Sequence, residues 1–353
     1  MKAQLVDFGF IVASYNQPKN IGPLLEAIHS NAVSSGATFK LIVVDDASTG
    51  DTQAKLQDLK RRGLITELAL LSNNRGVSYA RNHGMSLAAC CRWVTFFDDD
   101  DCVDENLVNI LKKVRVADEH DCWVTGYFKF EVNKRHICFW EGEGTLCKGS
   151  LFKYAQDYCV EPNRNYAFVH VWSKFYLEKT ISKHQIQFNE RMKLHEDIEF
   201  NLQFLSVARR IGYMPDAFYS HVISKRSASF VESWDLDGVL SIIFVARKLK
   251  KYLISNGMSQ RLARIITGHM IWNYLIVNMI RMGSRVGSIK DFKNFLDAWR
   301  TKLNAPFYLS ALKNYNSGIV GGSYLIPHLI AKKSYSLALF VAFIKGKKRY
   351  GRQ

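Results

Sequence analysis

Four short apolar runs, separated by segments of helical periodicity, constrain this 353-residue chain more than any other sequence feature. The runs are FGFIVA at residues 8–13, KLIVV at 40–44, ELALL at 67–71 and WVTFF at 93–97. Short continuous apolar runs are typical of strands that are buried on both faces of a parallel sheet. Apolar side chains recur at helical spacing between them, in residues 20–34, 51–62 and 78–89. This alternation of strand and helix predicts a doubly wound α/β sheet.

The rest of the chain has a less regular pattern. We expect a helix at residues 106–117, aromatic-rich strands at 124–130 and 137–140, and a helix at 195–209. The last third is helical by pattern, with predicted helices at 239–253, 261–281, 289–303 and 335–344. No apolar stretch reaches the ~18–20 residues that a membrane-spanning helix needs. We therefore expect no spanning helix. The first apolar run, residues 8–13, is short and follows no basic region, so a signal peptide is not expected either.

Charge divides the chain into two parts. Residues 236–353 contain 20 Lys and Arg but only 3 Asp and Glu, whereas residues 1–235 contain 28 Lys and Arg and 29 Asp and Glu. Two parts with different functions are the simplest explanation. The seven cysteines include no CxxC pair, so a zinc ribbon or a redox motif is not expected and reduced thiols fit best.

Polar and acidic residues follow all four apolar runs. These residues are Ser14–Asn16, Asp45 with Asp46, Asn73–Gly76 and Asp98–Asp101. Because ligands bind at the carboxyl edge of open α/β sheets, we expect these loops to line one site. The chain has no GxGxxG after its first strand and no GxxxxGK[ST] anywhere, which excludes dinucleotide-dehydrogenase and P-loop sites.

The acidic residues of these loops have two interpretations. Four consecutive carboxylates at Asp98–Asp101 repel one another unless a counter-ion is present. Mg²⁺ or Mn²⁺, with phosphate oxygens completing its shell, would compensate them. The alternative is a solvated acidic turn that caps the following helix. Asp45 and Asp46 are either a turn pair or acceptors for donors of a nucleotide base or ribose.

Two later segments supply further candidates. The segment His195-Glu196-Asp197 begins a predicted helix. Its acids either interact favourably with the helix dipole, as is common in a first turn, or supply a general base directed into a cleft. His221 is either a structural histidine or a ligand. The neighbouring Lys225 and Arg226 either close over phosphates or stay solvated.

In their order and spacing, these motifs resemble the family 2 glycosyltransferases of the GT-A fold. The matching segments are FIVASYN, LIVVDDAST, NNRGVSYARNHG, WVTFFDDDDCVDEN and HEDIEFNLQFL, over about residues 8–230. The resemblance implies a doubly wound mixed sheet flanked by helices. It also implies an inverting, metal-dependent transfer of a hexose or N-acetylhexosamine from a UDP-sugar. Residues 1–105 would then be the nucleotide-sugar-binding half and residues 106–235 the acceptor-binding half with the catalytic base.

The resemblance also implies a role for individual residues. Asp197 matches the catalytic base, with Glu196 beside it. Asp100, Asp98 and His221 match ligands of Mn²⁺ or Mg²⁺. The implied nucleotide-sugar-binding residues are Ala13, Tyr15, Asp46, Arg81, Asn82, Asp98 and Asp99. The residues expected near the acceptor, or supporting the site, are Glu196, Trp172, Lys174, Lys225 and Arg226, of which Trp172 and Lys174 fit a core position equally well.

The sequence departs from the family pattern at two places. Asp99 stands between the two acids of the DxD motif, where a small residue is usual, so it competes with them as a ligand. The first motif reads Ala-Ser-Tyr-Asn where proline-threonine is common, which leaves backbone contacts to the base unaffected.

The basic region at residues 236–353 predicts association with a membrane surface. Near its end an apolar helix is joined to Lys345, Lys347, Lys348, Arg349 and Arg352, as in segments that lie on anionic head groups. The alternatives are solubilising charges and nucleic-acid binding, and no nucleic-acid motif supports the latter.

Together these features predict a cytoplasmic protein on the inner face of the cell membrane. The acceptor we expect is a lipid-linked or polysaccharide hydroxyl in the assembly of a bacterial surface polysaccharide, such as lipopolysaccharide O-antigen or capsule. The alternatives are a protein- or teichoic-acid-type glycosyltransferase and a catalytically silent protein that binds sugar nucleotides or polyanions.

Overall fold

The computed structural model describes residues 5–117, 120–131, 134–138, 144–146, 151–152, 155, 168–222, 236–315 and 324–350. The chain divides into two compact units. The first comprises residues 1–150 and 167–231, and the second comprises residues 151–166 and 232–353.

The first unit begins with the predicted alternation of strand and helix. Its elements up to residue 116 are β1 (Val6–Ser14), α1 (Ile21–Ser35), β2 (Phe39–Asp45), α2 (Asp51–Arg61), β3 (Glu67–Leu70), α3 (Val77–Leu87), β4 (Cys91–Asp98), β5 (Cys102–Val103) and α4 (Leu107–Val116). The four apolar runs fall in strands, with only Leu71 lying just beyond its strand, and the centres of β1, β2 and β4 are buried. The prediction of strands covered on both faces is therefore confirmed for these three. The prediction of double-sided burial is wrong for β3, whose residues are partly buried or exposed because it is the last strand of the sheet.

The sequence pattern predicted the elements in the remainder of the first unit less accurately. It contains β6 (Cys122–Glu131), β7 (Lys134–Cys138), β8 (Gly144–Leu146), β9 (Lys174–Leu177), α5 (Glu178–Lys183), α6 (Glu196–Val207) and β10 (Ile211–Val222). The strand predicted at 137–140 begins three residues earlier, and its last two residues lie outside the described ranges. The sequence did not predict β10, because Pro215 interrupts its apolar pattern. Pro215 falls at a shift of register between Met214 and Ala217, where a strand tolerates proline.

The described strands form one mixed sheet in the order β3-β2-β1-β4-β9-β6-β10-β5. β1 is parallel to β2 and β4, whereas β9 is antiparallel to both β4 and β6. At the carboxyl end of β1, Ser14 lies opposite Asp45 and Ala13 lies opposite Asp98. The expectation that the polar loops meet at one edge of the sheet is thus confirmed for these strands.

Helix α3 packs unusually close to this edge. A Cβ atom at Gly84 would lie 2.5 Å from Cγ2 of Ile11, which is fully buried in β1. Glycine therefore permits an approach that any side chain would prevent. The approach fixes α3 against the sheet and so determines where the polar side chains of that helix lie.

We expect Gly84→Ala to destabilise the protein by about 1–2 kcal/mol. Overpacking typically costs ~1–3 kcal/mol, and the β-branched Ile11 has little freedom to yield, so the cost exceeds the ~1 kcal/mol by which alanine favours a helix over glycine. Urea unfolding measures the difference. The control is Ser86→Ala, exposed on the same helix, for which we expect a change within ~0.5 kcal/mol. Equal or higher stability of Gly84→Ala would contradict close packing here.

The second unit is helical over its described residues, as the pattern predicts. Its helices are α7 (Leu236–Ser255), α8 (Gln260–Arg285), α9 (Ile289–Leu303), α10 (Pro306–Leu312), α11 (Leu325–Ala331) and α12 (Tyr335–Tyr350). Ser259 caps α8 by accepting from Leu262 N, and a capping box of Ser288 and Asp291 begins α9. α12 continues six residues beyond the predicted end at residue 344.

Helices α8 and α12 cross in close contact. A Cβ atom at Gly346 would lie 2.2 Å from the carbonyl oxygen of Ile280, and one at Gly283 would lie 2.7 Å from Cα of Phe343. In the part of the chain that the structure describes, no helix combines the length and apolar character required to span a bilayer.

Candidate active site

A buried arginine joins three elements at the carboxyl edge of the sheet. Arg81, on α3, lies 2.7 Å from Oδ1 of Asp98 at the end of β4. Its other terminal nitrogen lies 2.7 Å from Oδ1 of Asp197 and 3.6 Å from Oε1 of Glu196, both in the first turn of α6. The Arg81 side chain is 4% exposed, so these are ion pairs in a poorly solvated setting.

The charges of this cluster are strongly coupled. Burial disfavours the charged guanidinium, but Asp197, Asp98 and Glu196 together raise the pKa of Arg81 above its usual value. Burial and the neighbouring Asp197 raise the pKa of Glu196 to about 8. Burial also raises the pKa of Asp197, whereas Arg81 opposes that rise. The site therefore holds carboxyl groups whose protonation changes near neutral pH, as acid–base catalysis requires.

The four acids after β4 have different environments. Oδ2 of Asp99 accepts a hydrogen bond of 2.7 Å from the backbone N–H of Tyr15. Asp101 is buried and accepts from the Tyr219 hydroxyl at 2.6 Å and from Val222 N at 2.9 Å, with Nδ1 of His221 at 3.2 Å. Asp100 differs from these, because no other described residue donates a hydrogen bond to its carboxylate.

The donor set suits a divalent cation that shares its shell with phosphates. Among the described side chains, no three His, Cys, Asp or Glu residues are already arranged around one metal position. Mg²⁺, however, is usually held by one or two carboxylates together with water and substrate phosphates. Within the described part of the chain, no residue is hydrogen-bonded to Oδ2 of Asp98, no other residue donates to the Asp100 carboxylate, and the hydrogen bonds of the His221 ring involve Nδ1 alone. Burial followed by repulsion from Asp101 and Asp98 raises the pKa of Asp100 to about 6, which marks a surplus of negative charge.

Asp197 is held from two sides and remains partly open. Arg81 contacts Oδ1, and the backbone N–H of Val171 donates to Oδ2 at 3.1 Å. The carboxylate is 14% exposed, so a hydroxyl group can reach it. Lys174 supports this arrangement from within the core, since its ammonium donates to the carbonyl oxygens of His170 and Trp172 on either side of Val171.

Two residues expected near the acceptor are instead buried. Trp172 is 3% exposed and packs against Tyr127 and Tyr219, and Lys174 is 1% exposed. Burial lowers the pKa of Lys174 to about 7. The core alternative therefore describes both residues, and Lys174 reaches Asp197 only through the backbone that it holds. Lys225 and Arg226 lie outside the described residues.

The residues expected at the nucleotide lie along the same edge, but two of them also hold loops. Ala13 is partly buried at the end of β1, and the Tyr15 side chain is about half exposed. Asp46 accepts from the backbone N–H groups of Arg75 and Gly76 at 2.7 and 2.8 Å, which fixes the start of α3. The amide of Asn82 makes three hydrogen bonds with Phe188 and Glu190, which fix the approach to α6.

The family model described as Glycosyl transferase family 2 matches residues 10–142, which contain the second half of β1, the strands β2 to β4 and the four acids. This part of the chain therefore carries a glycosyl transferase family 2 domain. The corresponding prediction from the motifs is confirmed.

Curated relatives are named as glycosyltransferases or as a polysaccharide biosynthesis protein. The glycosyltransferase GlyA of Streptococcus pneumoniae is 25% identical over 237 residues, which are 64% of this chain and 32% of GlyA. The succinoglycan biosynthesis protein ExoO of Rhizobium meliloti is 26% identical over 260 residues, 72% of this chain and 71% of ExoO. The poly(ribitol-phosphate) beta-N-acetylglucosaminyltransferase TarS of Staphylococcus aureus is 24% identical over 245 residues, 68% of this chain and 40% of TarS. The chain thus spans less than half the length of GlyA and of TarS.

The fold is shared with a solved structure. The crystal structure of S. aureus TarS 1–349 in complex with UDP-GlcNAc matches with a TM-score of 0.66 at 19% identity, over 98% of this chain and 92% of that one. The predicted GT-A fold is confirmed by this likeness.

Sequence reasoning missed two residues that shape the candidate site. Tyr219 donates to Asp101 and accepts from the backbone N–H of Asp98, so it connects β10 with the acidic loop. His170 is stacked on Trp172, and burial lowers its pKa to about 3, which keeps the ring neutral. The one available signal was spacing, because Tyr219 stands two residues before His221 and therefore on the same face of a strand.

We expect Arg81→Ala to lower the free energy of unfolding by about 3–5 kcal/mol at pH 8, because it leaves buried carboxylates without their cation. The loss should be smaller at pH 5. Carboxyl groups whose pKa is raised by folding contribute stability below their unfolded pKa, near 4, and lose it as the pH rises through the folded value, about 8 for Glu196. Urea unfolding at both pH values measures the change.

The control for this prediction is an exposed ion pair. Lys113 lies 2.6 Å from Asp216, and their side chains are 55% and 31% exposed. We expect Lys113→Ala to cost less than about 1 kcal/mol, with no difference between pH 5 and pH 8. A loss in Arg81→Ala as small as that in Lys113→Ala, or one that does not depend on pH, would contradict the proposed charge balance.

Proposed function

We propose that the protein is an inverting glycosyltransferase that moves a hexose or N-acetylhexosamine from a UDP-sugar to a hydroxyl group of a saccharide acceptor. The observation that carries this proposal is the position of Arg81, which brings the acidic loop after β4 and Asp197 on α6 into one cluster. A single displacement needs two parts. One is a group of acids that can hold a cation beside the leaving diphosphate, and the other is a base for the attacking hydroxyl.

The donor side is the edge formed by β1, β2 and β4. Ala13, Tyr15 and Asp46 lie where the base and ribose would bind, and Asp98 and Asp99 follow on the next strand. The crystal structures of TarS with UDP and with UDP-GlcNAc support a UDP-sugar as donor, since that protein has the same fold. Arg81 and Asn82 support the site indirectly, because their side chains are already engaged with other residues of the unit.

A divalent cation, Mn²⁺ or Mg²⁺, would be held by Asp100 and Asp98, with His221 as a further ligand. When bound, such an ion stabilises the negative charge that develops on the departing diphosphate. The chain's own contribution is to keep the Asp100 carboxylate unpaired while Tyr15, Tyr219 and Val222 hold its acidic neighbours in place.

Asp197 is the proposed general base. Its carboxylate would accept the proton of the acceptor hydroxyl as that oxygen attacks the anomeric carbon on the face opposite the leaving diphosphate. Arg81 and Val171 N–H fix the orientation of the carboxylate, and burial raises its pKa toward the working pH. One displacement of this kind inverts the anomeric configuration, so an α-linked donor would give a β-linked product.

We expect Asp197→Asn to reduce turnover by ~10²–10⁴-fold, the usual contribution of a placed general base, with donor affinity unchanged. UDP release and calorimetric binding of the donor measure the two quantities. Asparagine has a single acceptor oxygen, so Arg81 or Val171 N–H loses its partner; thermal unfolding must therefore accompany the assay. The control is Asp58→Asn on the surface of α2. Turnover of the folded Asp197→Asn variant at the parent rate would contradict its role.

We expect Asp100→Ala to weaken donor binding in the presence of Mn²⁺ by about tenfold or more, because loss of even a group that supports a metal ligand typically costs ~10–100-fold in metal affinity. Binding without the ion should change little. Calorimetry with and without Mn²⁺ measures both affinities. Glu105→Ala, an exposed acid in the same stretch of chain, is the matched control. If the Mn²⁺-dependent affinity of Asp100→Ala equals that of the parent, Asp100 is not a metal ligand.

For the acceptor, we propose a lipid-linked or polysaccharide hydroxyl in surface polysaccharide assembly. The name of ExoO, a succinoglycan biosynthesis protein matched over 72% of this chain, supports it. A second candidate is a teichoic-acid-type acceptor, favoured by the names of TarS and of the minor teichoic acid biosynthesis protein GgaB of Bacillus subtilis. UDP release with oligosaccharide and with poly(ribitol phosphate) acceptors separates them. On this proposal residues 1–105 bind the donor, residues 106–235 the acceptor, and residues 236–353 a membrane.

Helix α12 supports the membrane proposal. Leu337, Phe340 and Ile344 lie three and four residues apart and are each about half exposed, so they form an apolar stripe. The opposite face, with Ala338, Leu339 and Ala342, is buried. Exposed Lys345, Lys347, Lys348 and Arg349 follow at its end. An apolar stripe next to exposed cations suits the interface of an anionic membrane, and on this proposal the protein binds the inner face of the cell membrane from the cytoplasm.

We expect the triple variant Leu337→Ser, Phe340→Ser, Ile344→Ser to bind phosphatidylglycerol-containing vesicles about tenfold or more weakly than the parent, because burial of these side chains drives insertion. Vesicle co-sedimentation at low salt measures the affinity. The matched control, Leu262→Ser, Val277→Ser, Ile289→Ser, removes three exposed apolar side chains elsewhere in the same unit. Equal binding by both triple variants would exclude the stripe as the membrane contact.

A further inference from the structure

The helical unit contains a formed pocket of about 250 Å³ among α7, α8 and α10. Its floor is made of small and apolar groups, namely Ala246, Thr267, Gly268, Ile271 and Ala311. Gly268 makes the floor possible, because a Cβ atom there would lie 3.0 Å from the carbonyl oxygen of Ala311. The indole N–H of buried Trp272 donates to the carbonyl oxygen of Tyr308 at 3.2 Å and fixes α10 against α8.

Three cations surround this apolar floor. Arg247 and Lys250 come from α7 and Arg264 from α8. Among the side chains described from residue 241 to residue 349, no carboxylate pairs with any of the three. Cζ of Arg247 lies 5.2 Å from the ring centroid of Phe307, a contact that orients the guanidinium at the pocket.

Hydroxyl and amide groups complete the lining. Ser310 contributes an exposed hydroxyl, and Asn314, which donates to the Ser310 carbonyl at 3.1 Å, contributes an amide oxygen. The pocket thus offers three positive charges, two neutral polar groups and the face of an aromatic ring. Its volume lies just below the ~300–1,000 Å³ of typical small-molecule sites, so it suits a small ligand.

We propose that this pocket binds a phosphorylated polyol unit. Arg247, Lys250 and Arg264 hold the phosphate, which suits guanidinium and ammonium donors. The short carbon chain lies against Phe307 and the apolar floor, and its hydroxyls reach Ser310 and Asn314. A free polyol phosphate and one repeating unit of a phosphodiester polymer present the same chemistry. This binding site involves the helical unit alone, and its test does not depend on the catalytic function proposed above.

Calorimetry on the full chain tests the proposal with three probes. We expect saturable binding of glycerol 3-phosphate with one site per chain, weaker binding of inorganic phosphate and no binding of glycerol. If an oligomer of glycerol phosphate units binds more tightly than the monomer, the pocket takes its ligand from a polymer. If the monomer binds more tightly, the source is a free polyol phosphate. Failure of glycerol 3-phosphate and the oligomer to bind would overturn the proposal.

Paired variants locate the binding. We expect Arg264→Gln to weaken glycerol 3-phosphate binding about tenfold or more, as for loss of a hydrogen bond to a charged group, and Lys250→Gln to act in the same direction. Arg261→Gln, on the same helix and also exposed but outside the pocket, should change the affinity less than twofold. Equal effects of Arg261→Gln and Arg264→Gln, or undiminished binding in Arg264→Gln, would place the phosphate elsewhere and overturn the proposal.

A cavity-filling variant separates the pocket from a diffuse basic surface. Ser310→Leu keeps the charge of the unit but fills part of the pocket, and we expect it to abolish glycerol 3-phosphate binding while leaving binding to phosphatidylglycerol vesicles intact. Undiminished binding of glycerol 3-phosphate in this variant would show that the cations act only as a surface charge. Thermal unfolding of each variant confirms that it is folded.

Discussion

One buried guanidinium balances the carboxylates on which the proposed chemistry depends. Arg81 contacts Asp98 and Asp197 at 2.7 Å each, and without it the end of β4 and the start of α6 would repel each other. Its position depends in turn on Gly84, which lets α3 approach β1 closely. The packing of a single helix against a strand thus determines the electrostatic balance at the carboxyl edge of the sheet.

Arg81 neutralises only part of the negative charge at this edge of the sheet, and the excess negative charge serves the proposed chemistry. Asp98, Glu196 and Asp197 share the guanidinium. Asp99 and Asp101 depend instead on backbone and hydroxyl donors, and no other described residue donates a hydrogen bond to the Asp100 carboxylate. Burial raises the pKa of Asp99 to about 7 and that of Asp100 to about 6. A cation or a proton is therefore favoured at the acidic loop. The second unit is basic, and its cations surround a pocket and follow an apolar stripe.

Local patterns predicted what depends on local order. The buried strands β1, β2 and β4, the helices between them and the long helices of the second unit follow from apolar periodicity, because their burial repeats along the chain. Contacts between distant residues were not predictable in this way. The ion pair of Arg81 with Asp197 joins residues that are 116 positions apart in the sequence, and no local pattern near either residue indicates it. Trp172 and Lys174 illustrate the same limit, since only tertiary packing decides between a core and a cleft position, and Pro215 concealed β10 because the bulge that accommodates it is a property of paired strands.

The most direct test is a crystal structure of the full chain with UDP and Mn²⁺, in which the anomeric signal of manganese locates the metal. We expect the uridine at the carboxyl ends of β1 and β2, and the manganese peak bonded to the Asp100 carboxylate and to the diphosphate, with Arg81 still bridging Asp98 and Asp197. A manganese peak away from residues 98–101, or a nucleotide bound elsewhere on the first unit, would contradict this assignment of the site.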